Sequence, residues 1–391
     1  MTVQPAGQVS LVTIAREWAR IGIIGFGGPP AHITLLRKLC VDDRAWLSAH
    51  EFEDGVATTN LLPGPASTQL AIFCAWRLRG LAGALLGGAC FIVPGLIIIL
   101  GLAALFLAHD LPSWVLGAAA GAGAAVPAVA VKAAVGLLPA SWKRTGQQRS
   151  ARARWLAYLL AGGAAAALLG PFLVVILLAC GLIEVAARRP DLPRPAGQRL
   201  AAVPLLAVPV VASAGLGAVA WVAFKVGALS YGGGFVIIPL MQHDAVVTYH
   251  WMTGTQFLSA VALGQITPGP VVQTVAVVGY AAGGLPGGLL AALIAFTPSF
   301  VFVIAGGPHF GRLRSSQKVQ SFLTGAGPAA IGAIAGSAIP LSSELTHLWQ
   351  AGVGAAAAVW LLALRRGVVT ALLGAGVLGL IAALAGAPVG H

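Results

Sequence analysis

Two Pro-Gly-Pro triplets, each near the centre of a long apolar run, are the first candidates for a functional site in this sequence. They are Pro63-Gly64-Pro65 and Pro268-Gly269-Pro270. Proline and glycine break helices, so each triplet predicts a helix that restarts with free N–H groups and a positive dipole end. Such an end binds anions. Thr68-Gln69 and Gln273-Thr274 follow the triplets, and their hydroxyl and amide donors could bond oxyanion oxygens.

Two glycine pairs form a second candidate set. Gly27-Gly28 follows Phe26 and precedes Pro29, and Gly232-Gly233 follows Tyr231. Glycine lets backbone amides approach a ligand closely, which indicates that these pairs line the site. The alternative is that they serve helix packing, as small residues often do in membranes. We accept that alternative for most of the 52 glycines.

Two cations occupy corresponding positions. Arg20 and Lys225 each lie seven residues before a glycine pair, about two turns away on the predicted helix face. A charge within a span usually faces a cavity or a partner, and two symmetric cations would suit a dianion. The alternative is that Arg20 pairs with Glu17 and that Lys225 extends to the membrane interface.

Four other polar residues have weaker signals. Glu17 is a candidate for carrying a coupling proton. His32 either orients the loop after the glycine pair or contacts substrate. Glu184 and Lys132 are expected near helix ends, at the membrane interface rather than in a functional site.

Composition places the chain in a membrane. Mean hydropathy is +0.90 and 58% of residues are hydrophobic, while only 9% are charged, against about 25% in soluble domains. The apolar runs do not alternate in polarity, which favours helices over a barrel. Basic residues cluster in short loops, so the net charge of +12 indicates membrane topology and not nucleic-acid binding.

Other functional classes lack their signals. The four cysteines show no metal or disulfide spacing. We find no catalytic motif and no phosphate loop, and we expect neither enzymatic activity nor a cofactor or metal.

The chain repeats itself at an offset of 205 residues. The triplets obey it (268 − 63 = 205), and so do Trp46 with Trp251 and Phe52 with Phe257. Gly83 with Gly288 also fits this offset. Matches held over sixty residues indicate two homologous halves, which we place at 1–187 and 203–391, joined by a basic cytoplasmic linker at 188–202.

The positions of the basic loops predict an inverted relation between the halves. If every apolar run crossed, the loop at 312–318 would break the positive-inside bias. The conflict disappears if the runs 53–76 and 255–281 are re-entrant hairpins around the triplets. We predict crossings near 10–28, 81–107, 114–138, 155–169 and 171–187, and in the second half near 203–223, 285–306, 322–341, 347–364 and 368–386. Ten crossings, five per half, invert the halves and put both termini outside.

These motifs resemble one known family. Phe26-Gly27-Gly28-Pro29 with Ala31-His32-Ile33 is similar to the signature of the chromate ion transporter family, and the block Leu62–Gln69 resembles another of its motifs. Tyr231–Gly234 and Thr267–Pro270 resemble the second-half equivalents. The resemblance implies export of chromate across the cytoplasmic (inner) membrane, with sulfate as a close structural analogue.

The sequence therefore predicts an all-α, polytopic membrane protein that acts as a secondary transporter, driven by membrane potential or an ion gradient. The expected partners are an oxyanion substrate and the lipid bilayer, and a homodimer is left open. An anion channel of the same architecture is the alternative, and lipid handling is a distant third.

Overall fold

A computed structural model describes residues 9–60, 62–108, 111–188, 215–230, 235–306 and 315–389, and within these ranges the chain contains helices and no strands. The first half contains α1 (Leu11–Ile24), α2 (Pro29–Arg37), α3 (Ala49–Thr59), α4 (Ala66–Phe106), α5 (Ser113–Ala124), α6 (Val126–Lys143), α7 (Arg149–Ala164) and α8 (Leu173–Ala187). The second contains α9 (Leu216–Leu229), α10 (Ile238–Gln242), α11 (Gly254–Ile266), α12 (Thr274–Gly306), α13 (Gln317–Gly336), α14 (Ala338–Ser343), α15 (Leu348–Ala358) and α16 (Val368–Leu384).

The helices have the length and surface of membrane segments. Among the described residues, four helical runs are long and apolar enough to cross a bilayer: Ala66–Phe106, Ser113–Lys143, Val271–Gly306 and Gln317–Ser343. Large apolar side chains such as Ile97, Leu293 and Leu384 are exposed on the outer surface. A soluble protein rarely exposes so much apolar surface, so this exterior faces lipid. The prediction of an all-α, polytopic membrane protein is confirmed at this level.

Local conformations recur in the two halves. Ser48 and Thr253, 205 residues apart, both form capping boxes at the starts of α3 and α11. Helix α4 is broken at Arg79-Gly80 and α12 at Gly283-Gly284, with nearly identical backbone angles, including φ +56° and +61° at Gly80 and Gly284. The offset at the breaks is 284 − 80 = 204, one residue less than at the triplets.

A one-residue difference in length after the triplets explains the change of offset. Three residues separate Pro65 from Gln69, but only two separate Pro270 from Gln273. The chain absorbs the difference in its first helical turn, since Val271–Gln273 forms a tighter 3₁₀ turn where the first half starts a regular α-helix. Gly83 consequently corresponds to Gly287 and not, as the sequence comparison predicted, to Gly288. Each lies against the backbone carbonyl of an equivalent residue, Ala75 and Gly279.

Both Pro-Gly-Pro triplets lie at the tips of helical hairpins. In the first hairpin, Arg77 of α4 bonds Glu51 of α3, and each of these residues is 13 positions from Gly64. In the second, Gly264 lies against the Thr274 side chain, each five positions from Gly269. Contacts at equal distances from a tip require antiparallel arms, so the helix–triplet–helix arrangement predicted for 53–76 and 255–281 is present.

Helix α1 is shorter than predicted and leads into a further hairpin. Its 14 residues span about 21 Å, which is less than the roughly 30 Å hydrocarbon core. The chain then reverses at Gly27-Gly28, so Arg44 returns to within 3.2 Å of Glu17. The crossing predicted for 10–28 is therefore wrong.

The start of α1 also corrects a topology prediction. Arg79 donates to the Val9 carbonyl at 3.0 Å, which places the beginning of α1 beside the break in α4. Residue 9 thus lies on the same side as the basic segment 77–79, and not on the opposite side as predicted for the N-terminus.

The remaining boundaries mostly follow the predictions. The split of 155–187 into two helices occurs at Gly170, which has φ +39°. In the second half, the counterpart of α1 is α9, which begins at Leu216. Residues 203–214 of the predicted crossing 203–223, and almost all of the linker 188–202, lie outside the described residues.

The two halves interlock by an approximate two-fold relation. Helix α5 packs against α16 of the other half, and α13 packs reciprocally against α8. Where α4 meets α12, Gly88 lies against Phe300 and Leu100 against Gly288, so residue numbers rise along one helix as they fall along the other. Equivalent helices of the two halves therefore run antiparallel, and the axis that relates them is perpendicular to both.

Candidate functional site

Each hairpin tip is anchored on the other half. Gly64 N–H donates to the Ser230 carbonyl, and Gly269 N–H donates to the Gly25 carbonyl at 3.1 Å. Both bonds join residues that correspond at the offset of 205. Gly95, in the middle of segment 81–106, lies against the Pro268 carbonyl. The tips therefore meet the other half deep in the molecule, beside the centre of a membrane-length helix.

A cavity of about 410 Å³ lies between the halves beside these tips. Three residue pairs that correspond at the offset of 205 line it: Pro30 and Phe235, Asn60 and Gln265, and Ala66 and Val271. Because both members of each pair reach the same space, the cavity lies near the two-fold axis. Its volume accommodates a tetrahedral oxyanion with several waters, since liquid water occupies about 30 Å³ per molecule.

Four helical runs begin at the wall of this cavity. Pro29 begins α2, Ala66 begins α4, Val271 begins the run into α12, and Phe235 begins the run Phe235–Thr248. The first N–H groups of a helix lack intrahelical acceptors and carry partial positive charge. Pro29 and Pro30 carry no N–H, so α2 contributes only its dipole, while the runs that begin at Ala66, Val271 and Phe235 also bring N–H groups to the wall of this space. Together these ends create an environment that favours a buried anion.

Glycine is required at the turn into α2. Gly28 has φ +73° and ψ −157°, a region that is essentially restricted to glycine. A Cβ there would meet no atom closer than 3.8 Å, so backbone conformation and not crowding explains this glycine. Gly27, with φ +100°, continues the turn, and both line the cavity together with Pro29.

One wall of the cavity is a single face of α6, formed by Val129, Lys132, Ala133, Gly136 and Leu137. Lys132 lies within α6, eleven residues before its end at Lys143, so it is not near the helix end as predicted. Its predicted position at the membrane interface stays a prediction. Glu184, by contrast, does lie near the end of α8, where it is buried and bonds Arg154, Arg188 and Tyr158.

Gln265 contributes an unused donor. Its side chain is only 8% exposed and its Nε2 has no hydrogen-bond partner among the described residues. Neither Gln265 nor Asn60 was predicted, although the offset of 205 aligns these two carboxamides. That alignment was the signal that could have identified them.

The predicted residues after the triplets lie behind the cavity wall. Thr68, Gln69 and Gln273 are buried and do not line it. Gln69 Nε2 donates to the Pro63 carbonyl at 2.6 Å, and Gln273 Nε2 donates to the Ile92 carbonyl at 2.8 Å. The side-chain amides of Gln69 and Gln273 therefore stabilise the two hairpin tips.

The triplets themselves position the helix starts. Pro65 and Pro270 cap the runs that begin at Ala66 and Val271. Gly64 and Gly269 turn the chain with φ +124° and +106°. Pro63 faces a separate apolar groove.

His32 joins the two hairpins of the first half. It is fully buried, with Nε2 2.8 Å from the Gly25 carbonyl and Nδ1 3.2 Å from Ser67 Oγ. The same Gly25 carbonyl accepts the Gly269 N–H of the opposite tip. His32 therefore lies in a junction of three hairpins, behind the cavity and not in its lining, and its orienting role stays a prediction.

The two symmetric cations lie outside the cavity lining. Arg20 is largely exposed and lies 3.6 Å from Glu17, which also pairs with Arg44. Lys225 bonds buried Asp244 at 2.5 Å and lies over the Trp221 ring. Because α1 ends at Ile24, Arg20 does not share a helix with Gly27-Gly28, contrary to the prediction. The described residues contain no cluster of metal ligands, and Tyr231, Gly232, Gly233 and Gly234 lie outside them.

The family model described as Chromate transporter matches residues 12–185 and 217–380, two segments whose starts are 205 residues apart. The chain belongs to the chromate transporter family. Within this family, it is similar to the chromate transport protein of Cupriavidus metallidurans, with 31% identity over 353 residues, or 88% of this chain and 85% of that protein. It is also similar to a probable chromate transport protein of Synechococcus elongatus, with 29% identity over 355 residues, or 88% and 87% of the two chains. No solved structure matches this chromate transporter family member significantly.

Proposed function

We propose that this protein is a secondary transporter that exports chromate, or a related tetrahedral oxyanion such as sulfate, across the cytoplasmic membrane. The observation that carries the proposal is the cavity at the two-fold axis, where four helical runs begin and the Gln265 amide has a free donor. This environment suits an anion with several hydrogen-bond acceptors. The relatives from Cupriavidus and Synechococcus, named for chromate transport, support the substrate.

The antiparallel halves support an inverted repeat. If α4 and α12 run along the membrane normal, their two-fold axis lies in the membrane plane. The hairpins of the two halves then enter from opposite faces as re-entrant elements, and their tips meet near the midplane. Inverted repeats with broken helices around a midplane site are typical of carriers with alternating access. Positive-inside bias places the segments 77–79 and 143–154 in the cytoplasm.

Membrane potential is a sufficient driving force for export. A dianion that leaves a negative-inside cell gains about 2.3 kcal/mol per charge per 100 mV, or roughly 4–5 kcal/mol in total. That energy supports a concentration ratio above about a thousandfold. The sequence contains no phosphate loop that would indicate ATP use.

Flux measurements in proteoliposomes test this function. We expect chromate movement to follow an imposed membrane potential and to be inhibited by sulfate. An imposed pH gradient without a potential should drive chromate movement only by proton antiport, so this condition separates antiport from potential-driven export. Countertransport, in which internal unlabelled substrate accelerates uptake of label, distinguishes a carrier from the alternative anion channel. If neither chromate nor sulfate moves under any gradient, the oxyanion assignment is wrong.

A further inference from the structure

Lys132 is a cation with an unmatched charge in a helical run long enough to cross a membrane. It projects from the middle of a membrane-length helix into the cavity. Two other cations on buried helix faces do have carboxylate partners, since Arg154 pairs with Glu184 and Lys225 pairs with Asp244. Throughout the described part of the chain, Lys132 has no ion pair and no hydrogen bond. An unpaired charge at this depth is costly, so it indicates a missing counter-charge.

The second half has no equivalent cation. The segment Gly121-Ala122-Gly123 matches Gly325-Ala326-Gly327 at an offset of 204, which aligns Lys132 with Gly336. A Cβ at Gly336 would collide with the Gly163 carbonyl, so close helix packing excludes any side chain there. Among the described residues, the cavity is therefore lined by paired elements from both halves but receives a charged side chain from the first half only.

We propose that Lys132 is the charge-selecting ligand of a single anion site, with the Gln265 side-chain amide as a neutral ligand from the other half. The inference rests on the proposed function and extends it, because it states which residue distinguishes a dianion from a monoanion. Coulomb attraction to one cation scales with the ligand's charge, so Lys132 contributes about twice as much binding free energy for chromate or sulfate as for a tetrahedral monoanion such as perrhenate.

The test is substitution of Lys132 by glutamine, with Lys143→Gln as the matched control. Lys143 is on the same helix but is exposed and lies outside the cavity lining. Loss of a charged hydrogen-bond partner costs roughly 1.5–3 kcal/mol, so we expect Lys132→Gln to raise the half-saturation concentration for chromate about 10- to 100-fold. The increase for perrhenate should be only about 3- to 10-fold, since the Coulomb term is halved. Lys132→Arg should retain most of the preference for dianions, and Lys143→Gln should match the wild type.

A double variant that moves the positive charge to the other half distinguishes loss of the cation from misfolding. Gln265 lines the same cavity from the other half, so the double variant Lys132→Gln/Gln265→Lys should recover part of the preference for chromate over perrhenate. Thermal unfolding in detergent reports whether each variant folds. An unchanged chromate-to-perrhenate ratio in folded Lys132→Gln, with active wild type, would overturn the role of Lys132 and leave the proposed function intact. Inactive wild type would instead contradict the proposed function itself.

Discussion

At the scale of single residues, symmetry in the sequence identified the backbone of the site but not its charge. Gly27, Gly28 and Pro29 line the cavity, and their contact with substrate stays a prediction. Arg20 and Lys225 were predicted as ligands because they correspond in the two halves, yet each lies beside a carboxylate and outside the cavity. The partner of Lys225 is 19 residues away and spacing alone does not reveal it. Lys132 was predicted to lie near a helix end and outside the site, and the repeat comparison gave no reason to select it because it aligns with a glycine.

Gly28→Ala tests whether the backbone of this turn positions α2. The Gly28 conformation is strained for any other residue by about 1–3 kcal/mol, so alanine should shift the start of α2 and reduce chromate affinity. Gly136→Ala is the matched control, because Gly136 lines the same cavity, has no atom within 4 Å of its Cβ position and lies within helix α6. Chromate half-saturation in proteoliposomes is the measurement. Equal values for the two variants would contradict this role of Gly28.

At the scale of elements, the Pro-Gly-Pro hairpins were predictable because the triplets stop helices by local chemistry. The reversal of the chain within segment 10–28 was not predictable. Its composition fits a crossing helix, but the chain reverses at Gly27-Gly28 and returns so that Trp46 stacks near Trp18, with ring centroids 6.4 Å apart. That reversal depends on tertiary partners about 30 residues away, and a local apolar pattern does not distinguish a crossing from a hairpin.

Gly95→Ala tests the close contact between α4 and the second hairpin tip. A Cβ at Gly95 would collide with the Pro268 carbonyl and approach the Gln273 amide. Overpacking of this kind typically costs about 1–3 kcal/mol, and we expect a lower unfolding temperature together with slower transport as the tip is displaced. Gly101→Ala is the control on the same helix, since its Cβ position is open. Equal unfolding temperatures and rates for the two variants would show that the tip does not require this close contact.

At the scale of the whole molecule, the reciprocal bonds couple the halves. Each tip is held by the end of the first helix of the other half, through Gly64 to Ser230 and Gly269 to Gly25. A movement of either hairpin therefore disturbs the end of the first helix in the other half. Such coupling suits alternation between two conformations in which one central cavity opens to opposite faces. Inversion across the membrane stays a prediction from the basic loops. Interlocking of the halves could not be predicted, because packing between α5 and α16 or between α13 and α8 leaves no local sequence signal.

Cysteine labelling of two equivalent positions tests the inversion. Ser113 begins α5 and Gln317 begins α13, and they correspond at the offset of 204. Both are exposed. In an inverted repeat the two positions face opposite sides of the membrane, and positive-inside bias places Ser113 outside and Gln317 in the cytoplasm.

In a background without the four native cysteines, a membrane-impermeant maleimide added to intact cells should label Ser113→Cys. It should label Gln317→Cys only after the cells are opened. Parallel repeats would make both positions react from one face, because their two-fold axis would run along the membrane normal. That result would contradict entry of the two hairpins from opposite faces, although the cavity that they line would remain. It would also remove the structural basis for alternating access.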